Sequence, residues 1–143
     1  NPALVNRYFG NKQGLFEAVL EAQPDASALL NIDQAQWGAK LASMMVGKMG
    51  TDPEVDPLLI LLRSAQSKTV GHLVHASVEA RLNDPLSRLY GTNSRARAKS
   101  RLLLTVLLGF DVVERLVKLP YDPDSVRDIE DIVAKTLQLI IDA

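Results

Sequence analysis

The chain has 143 residues, of which 47% are hydrophobic and 23% are charged, a composition that excludes a disordered protein and predicts a globular chain with a real core. The formal net charge is −1 and there is no cysteine, which excludes a disulfide framework, a zinc finger and thiol chemistry. The lack of cysteine fits a cytoplasmic protein. No apolar run approaches the roughly 18 residues that a membrane-spanning helix needs, so we expect no membrane partner.

Residues 1–16 predict two short helices separated by a tight turn. Asn1 is a good N-cap and Pro2 fits the first helical position, so the first helix runs from Pro2 to about Phe9. Gly10 can adopt the left-handed conformation that ends a helix, and Asn11 caps the next one. This segment holds two basic residues and no acid, hence +2, whereas the remainder holds 14 basic and 17 acidic residues, hence −3. A small basic tip on a slightly acidic body fits a DNA-binding protein.

The second helix and two further ones are predicted before residue 63. The second helix of the chain carries a narrow apolar stripe and ends at Pro24. The next one begins at Asn31 or Asp33 and ends at Gly50. After Asp56-Pro57 the five residues 58–62 are all apolar, a pattern that a buried strand would also produce. The richness in leucine and the preceding caps favour a central, fully buried helix there.

The second half of the chain predicts a helix from Ser67 or Thr69, an interruption at Asp84-Pro85, and a short extra turn before Gly91. A long helix follows from about Ser94 to Pro120, and the last helix starts at residues 122–124. No segment shows the alternation of a half-buried strand. The predicted fold class is therefore all-α, with a helical bundle after the N-terminal segment.

The N-terminal motif is the feature from which a family resemblance can be recognised. The run Arg7-Tyr8-Phe9, then Gly10-Asn11-Lys12, then Leu15-Phe16 resembles the end of the helix-turn-helix of TetR-type transcriptional regulators. One residue departs from the pattern, because many members carry tyrosine where this chain has Asn6. A looser similarity to actinobacterial-type members is found later in the chain, at Arg97-Ala98, Gly109, Arg115 and Leu119-Pro120.

The resemblance implies that the first helix binds operator DNA. Asn6 would offer its amide to an adenine edge, and Ala3 or Leu4 would contact a thymine methyl group. Arg7, Tyr8 and Lys12 would bind phosphates. Without the family pattern, these would be ordinary surface charges beside a half-buried tyrosine. The implied DNA-binding residues are Pro2, Ala3, Leu4, Asn6, Arg7, Tyr8 and Lys12.

The resemblance also implies a domain organisation. Residues 1–22 would be the end of the DNA-binding domain with its connecting helix, and residues 23–143 a helical effector-binding and dimerisation domain. Because the family has two further helices before the recognition helix, we expect the given residues to bind DNA poorly by themselves. The implied function is a repressor that a small molecule releases from DNA. The alternative is a helical ligand-binding or protein-interaction module with no DNA role.

An effector pocket is expected in the body of the chain, largely on the strength of the resemblance. It would lie between the third, fourth and fifth predicted helices, with methionines as adaptable lining residues. Plain core packing of these apolar side chains is the alternative. The candidate lining residues are Trp37, Met45, Met49, Leu62, His72 and His75.

A two-fold homodimer is predicted from the residues themselves. The last two helices each carry more apolar side chains than one neighbouring helix can cover, so one stripe of each requires a partner. Mid-helix Gly109 costs about 1 kcal/mol against alanine unless close packing uses it. The alternative is a monomer whose terminal helices pack inward. The predicted interface residues are Leu102, Val106, Gly109, Phe110, Val113, Val117, Ile129, Val133, Leu137 and Ile140.

Enzymatic and metal-binding functions are not supported by any motif. His72 and His75 are three residues apart and Glu79 follows, but no third ligand or zincin spacing accompanies them. Nucleophile motifs, phosphate loops and dinucleotide fingerprints are missing from the sequence. The basic run at residues 95–101 has a spacing of two, which scatters its charges around a helix. We therefore predict no catalysis, no metal and no cofactor.

Overall fold

The computed structural model describes Gly14 and residues 26–50, 62–80 and 84–143. All regular structure within these ranges is helical, which confirms the all-α prediction. The predicted helices over residues 2–20 and 58–61 lie outside the described residues. The α-helices, numbered in chain order, are α1 (Trp37–Val46), α2 (Gly71–Val78), α3 (Asp84–Tyr90), α4 (Ser94–Asp111) and α5 (Val126–Asp142).

The start of α1 differs from the prediction. The segment Ala26–Asn31 forms 3-10 turns, and a second 3-10 turn at Gln34–Gln36 follows before α1 begins. The Asp33 carboxylate accepts a hydrogen bond from the backbone N–H of Ala35 at 3.0 Å, so Asp33 caps the 3-10 turn directly instead of α1. The helix ends at Val46, and Gly50 has a positive φ of 75° in the turn that follows.

Helices α2 and α3 are short. The Ser67 hydroxyl accepts hydrogen bonds from the backbone N–H groups of Thr69 and Val70, each at 3.3 Å, and α2 begins after this turn. Helix α3 ends at Tyr90, and the next residue, Gly91, has a φ of 87°. The predicted turn before Gly91 is therefore a two-turn helix that a left-handed glycine terminates.

Helix α4 has a well-defined start and an unusual end. The Asn93 side chain accepts a hydrogen bond from the backbone N–H of Ala96 at 2.8 Å, as an N-cap does. After Asp111 the chain continues as a π-helical segment, Val112–Val117, which ends at Lys118 in the left-handed conformation with φ 55°. The wider π-helical turns extend α4 to the predicted stop near Pro120.

Helix α5 is 17 residues long and forms the main packing partner of α1. The Asp122 carboxylate accepts from the backbone N–H of Asp124 at 3.0 Å, which caps the 3-10 turn Pro123–Ser125 that leads into the helix. Helix α4 packs against α1, α3 and α5. The main core cluster consists of Leu29, Trp37, Met45, Leu103, Leu137 and Ile141.

A second, smaller cluster surrounds Val74 of α2, with Leu73 and Val78 packed against it. Among the described residues, none of the helices is long and apolar enough to cross a membrane. The two longest described helices, α4 and α5, both contribute side chains to the main core cluster.

Candidate functional site

Helix α4 leaves an apolar face in solvent. Leu102 of α4 is 53% exposed, and Val113 and Val117, in the π-helical segment that extends α4, are 40% and 58% exposed. Positions 102, 109 and 113 lie on one side of a helix, because intervals of seven and eleven residues are close to whole numbers of turns. Gly109 is exposed on this side, and a Cβ added to it would meet no atom within 4 Å. The face is therefore apolar, and Gly109, which has no side chain, leaves a depression in the middle of it.

Helix α5 leaves a second apolar face in solvent. Ile132 and Leu139 are 62% and 73% exposed, and the seven residues between them correspond to about two helical turns. Leu137 and Ile141 on the other side are fully buried in the core. The helix is thus apolar on both sides. Aligned apolar residues on neighbouring exposed helices are the pattern of a surface that packs against another molecule.

An aromatic pair lies where α1, α3 and α4 meet. The Trp37 indole N–H donates to the backbone carbonyl of Ile32 at 3.1 Å, and its ring contacts the Tyr90 ring edge-to-face at a centroid distance of 6.0 Å. The Lys99 ammonium lies 5.1 Å from the centre of the Tyr90 ring and donates to the carbonyl of Ile141 at 3.0 Å. This arrangement joins the start of α1, the end of α3 and the end of α5.

The Tyr90 hydroxyl is the polar group at the centre of this arrangement. Burial of the phenol, together with the negative charge of Asp142, raises the pKa of Tyr90 to about 12. The hydroxyl is buried and finds no hydrogen-bond partner in the described part of the chain. It therefore remains a neutral donor at physiological pH and provides a polar group within an apolar, aromatic region.

The backbones of α1 and α5 meet at Gly38. A Cβ added there would lie 2.5 Å from the carbonyl oxygen of Ala134 and 2.8 Å from Cβ of Gln138, so only glycine permits this contact. The Gly38 N–H donates to the Gln138 side-chain oxygen at 2.9 Å. The Gln138 amide nitrogen donates to the Gln34 carbonyl at 3.2 Å and to the Asp142 carboxylate at 2.9 Å.

A buried ion pair occupies the junction between α4 and its π-helical extension. Asp111 and Arg115 are 4% and 3% exposed, and Nη1 of Arg115 lies 3.8 Å from Oδ1 of Asp111. Because a buried charge without its partner costs free energy of folding, the pair stabilises the arrangement of the π-helical extension on α4. The pair lies on the side of the helix away from exposed Val113 and Val117.

The family profile of the tetracyclin repressor-like C-terminal domain matches residues 35–141, which includes every α-helix described above except the last residue of α5. The chain belongs to this family. A search of curated proteins and a search of solved structures found no significant match. The C-terminal domains of this family are regulatory ligand-binding domains, and the match supports a TetR-type regulator.

The TetR-like motif at the N-terminus lies outside the described residues. This applies to every residue to which the resemblance assigned a DNA contact, namely Pro2, Ala3, Leu4, Asn6, Arg7, Tyr8 and Lys12. Their roles remain predictions from the sequence. The match to the C-terminal domain supports the same family independently, because it rests on residues 35–141 only.

The predicted effector residues are divided between two regions of the TetR-like domain. Trp37 and Met45 are buried together in the main core, and Met49 and Leu62 are half-buried. His72 and His75 are exposed on α2, whose buried Val74 belongs to the second cluster. Within the described ranges, no group of three or more histidine, aspartate or glutamate side chains is placed to hold a metal ion. The structure thus brings Trp37 together with Met45, and places the two histidines in solvent.

The aromatic partner of Trp37 did not follow from the sequence. Tyr90 was visible only as an apolar residue before Gly91, and Lys99 only as one of a basic run. The one available signal was a tyrosine placed directly before a glycine stop, between two helices that both pack on the core. Spacing alone cannot show that α3 brings this ring to the start of α1, because the contact depends on the path of the chain between the helices.

The predicted interface residues also occupy three different environments. Leu102, Gly109, Val113 and Val117 are exposed. Val106, Phe110, Val133 and Ile140 are half-buried against the core, and Ile129 is half-buried. Leu137 is fully buried in the core of its own chain, so its side chain is not part of the exposed face. Exposed Leu139 was not among the predicted residues, because the apolar residues of α5 cover more than half of its circumference and spacing alone does not show which of them face solvent.

Proposed function

We propose that the chain is the effector-binding and dimerisation part of a DNA-binding repressor, preceded at residues 1–22 by the end of its DNA-binding domain. The observation that carries the proposal is the match of residues 35–141 to the tetracyclin repressor-like C-terminal domain. The N-terminal motif supports it from a separate part of the sequence. Together they favour a regulator over a helical module with no DNA role.

The proposed homodimer forms through the exposed faces of α4 and α5. Two helices from each chain would build a four-helix interface, which is self-complementary as a two-fold axis requires. Exposed Leu102, Val113, Ile132 and Leu139 would be buried there, and each large apolar side chain removed from water contributes about 1.5–3 kcal/mol before the cost of association. The dimer would present two recognition helices to a palindromic operator, about 34 Å apart or a multiple of this distance.

The proposed effector site is the region around Trp37 and Tyr90. A pocket for a small molecule is mostly apolar with a few polar groups that fix orientation. The buried Tyr90 hydroxyl is one such donor, and Met45 in the same core can adapt its shape to a ligand. Release from DNA requires that the effector has different affinities for the DNA-bound and the free arrangements.

Two measurements test this function. Selection of the complete regulator against a pool of genomic DNA fragments is expected to enrich a palindromic sequence, and the affinity should fall steeply with salt. Arg7→Ala and Lys12→Ala should weaken all sequences alike, whereas Asn6→Ala should change the preferred sequence, by roughly 1–3 kcal/mol for a bidentate contact. If no sequence is enriched, the interaction module without a DNA role is the better description.

A further inference from the structure

The junction between α1 and α5 is an inter-helical cap. The first backbone N–H groups of any helix have no partner within it, and the residue that precedes α1, Gln36, makes no capping hydrogen bond with its side chain. The N–H of Gly38 is satisfied instead by the side-chain oxygen of Gln138, at a distance of 2.9 Å, near the C-terminal end of α5. The start of one helix is therefore capped by a residue of another.

The remaining bonds of Gln138 fix its position. Its amide nitrogen donates to the Gln34 carbonyl, in the 3-10 turn before α1, and to the Asp142 carboxylate one turn further along α5. One side chain thus binds the backbone on both sides of Trp37 and holds it against α5. The backbone contact at Gly38, where an added Cβ would lie 2.5 Å from the Ala134 carbonyl oxygen, leaves α1 little room to slide.

The neighbours of the two bonded residues belong to the two proposed functional regions. Trp37 precedes Gly38 and contacts Tyr90 in the proposed effector region. Leu139 follows Gln138 and is 73% exposed on the proposed dimer face. The Gly38–Gln138 hydrogen bond therefore joins residues that adjoin these two regions, and Lys99, which contacts the Tyr90 ring and donates to the Ile141 carbonyl, is a second polar connection to α5.

We propose that Gln138 is a positioning residue that couples the surroundings of Trp37 to the dimer face of α5. The inference rests on the homodimer proposed above. A shift of α5 on dimerisation carries Gln138 with it, and Gln138 moves the start of α1 through the Gly38 N–H. By reciprocity, a ligand that displaces Trp37 changes the affinity between the two subunits. Gln138 contacts neither the ligand region nor the partner directly in this role.

Trp37 provides a direct readout, because it is the only tryptophan in the sequence. The experiment records its fluorescence emission over a dilution series of the chain, and sedimentation velocity on the same samples gives the fraction of dimer. For the native chain we expect the emission maximum to shift in proportion to the dimer fraction. In Gln138→Met, which keeps the side-chain length and removes the three hydrogen bonds, we expect a dimer whose emission no longer follows its dissociation.

Two variants control for changes that merely disturb α5. Arg127→Met also introduces a methionine, at an exposed position on the same side of α5 as Gln138, and should keep the native coupling. Gln138→Glu combined with Asp142→Asn restores an oxygen that accepts from the Gly38 N–H and a bond to residue 142, although the Gln34 carbonyl loses its donor. Because the coupling is proposed to pass through Gly38, this double variant should recover it. A purely structural role of Gln138 would change the melting temperature and leave the relation between emission and dimer fraction intact.

The outcomes separate this inference from the dimer on which it rests. A native chain that is monomeric throughout the series overturns both. A native chain that dimerises with constant Trp37 emission overturns the coupling alone, as does a Gln138→Met dimer that still shows the native shift. Should Gln138→Met fail to fold, amide hydrogen exchange of Gly38 in the native chain replaces it. We expect this amide to exchange faster in the monomer, and equal rates in both states would overturn the coupling.

Discussion

Leu102 and Leu103 are consecutive in the sequence, but only Leu103 lies on the side of α4 that faces the core. Leu103 is 1% exposed in the core beside Leu137, whereas Leu102 is 53% exposed. The two side chains differ only in their direction, since successive positions of a helix are about 100° apart. Packing within the single chain accounts for the burial of Leu103. Leu102 would be buried only if another molecule covered it. This division of α4 is the basis of the first prediction.

The first prediction concerns self-association. Val113→Lys and Leu139→Lys place a charge in the proposed interface, where it would be buried without a partner, and each is expected to convert the dimer to a monomer. Because both residues are exposed in the single chain, at 40% and 73%, its helical content should not change. Sedimentation velocity and circular dichroism measure the two effects. Met44→Lys, at an apolar position of α1 that is 42% exposed and lies outside the proposed faces, is the matched control.

Phe110→Glu is a poor substitute for these variants, although Phe110 belongs to the apolar stripe from which the dimer was predicted. Phe110 is half-buried and packs against the core of its own chain, so a charge there would disturb folding as well as association. A dimer that survives both Val113→Lys and Leu139→Lys would show that these faces are not the interface.

The sequence was sufficient to predict the helical elements near the C-terminus. Caps and stops are local signals: Asn93 caps α4, Asp122 caps the turn before α5, and both bonds are formed as their residue types favour. Within the described ranges, the order of the helices from residue 84 onward also depends on local pattern. These features were predictable because no distant residue decides them.

The assignment of side chains within a helix was not predictable to the same degree. In α5 the apolar residues cover more than half of the circumference, so periodicity cannot distinguish buried Leu137 and Ile141 from exposed Ile132 and Leu139. The choice is made by α1, whose Gly38 permits backbone contact at Ala134 and thereby selects the inner side of α5. That contact joins residues about 100 positions apart, so neither local sequence predicts it.

The second prediction uses Gly109. Within a single chain a Cβ at this position meets open space, so Gly109→Ala should stabilise the monomer by about 1 kcal/mol through helix propensity. If the partner helix approaches here, the same methyl group must weaken dimerisation. Chemical denaturation at low protein concentration measures the first effect, and sedimentation equilibrium measures the second. Unchanged dimer affinity would show that Gly109 lies outside the close contact.

The third prediction contrasts this glycine with Gly38. Gly38→Ala places a methyl group 2.5 Å from the Ala134 carbonyl oxygen, and backbone atoms cannot move aside as a flexible side chain would. We expect destabilisation by about 1–3 kcal/mol, the usual cost of overpacking, despite the gain in helix propensity. Denaturant unfolding compares it with Gly109→Ala, which makes the same change on a helix with open space. Opposite signs are expected, and a stabilising Gly38→Ala would contradict the described contact of α1 with α5.

The fourth prediction concerns the end of the π-helical segment. Lys118 is the only described non-glycine residue with a positive φ, and a side chain in the left-handed conformation costs about 1–2 kcal/mol. Lys118→Gly should therefore stabilise the chain by about 0.5–1 kcal/mol, after the greater chain entropy of glycine in the unfolded state is subtracted. Lys135→Gly, at an exposed position inside α5, should instead destabilise by about 1 kcal/mol. Equal effects of the two changes on thermal unfolding would exclude the left-handed conformation at Lys118.

The last prediction concerns Tyr90 and alkaline pH. Its pKa is raised from 10.0 to about 12 in the folded chain, first by burial and then by Asp142, so the folded state favours the neutral phenol. The resulting stability is fully present below pH 10, the unfolded pKa, and is lost as the pH rises through about 12. The free energy of unfolding of the native chain should therefore fall more steeply over this window than that of Tyr90→Phe, which has no phenol to ionise there. Tyr121→Phe, at a tyrosine 41% exposed, is the control and should follow the native chain. Because lysines titrate in the same window, only the difference between these curves is informative, and coincident curves for Tyr90→Phe and the native chain would place the Tyr90 hydroxyl in water.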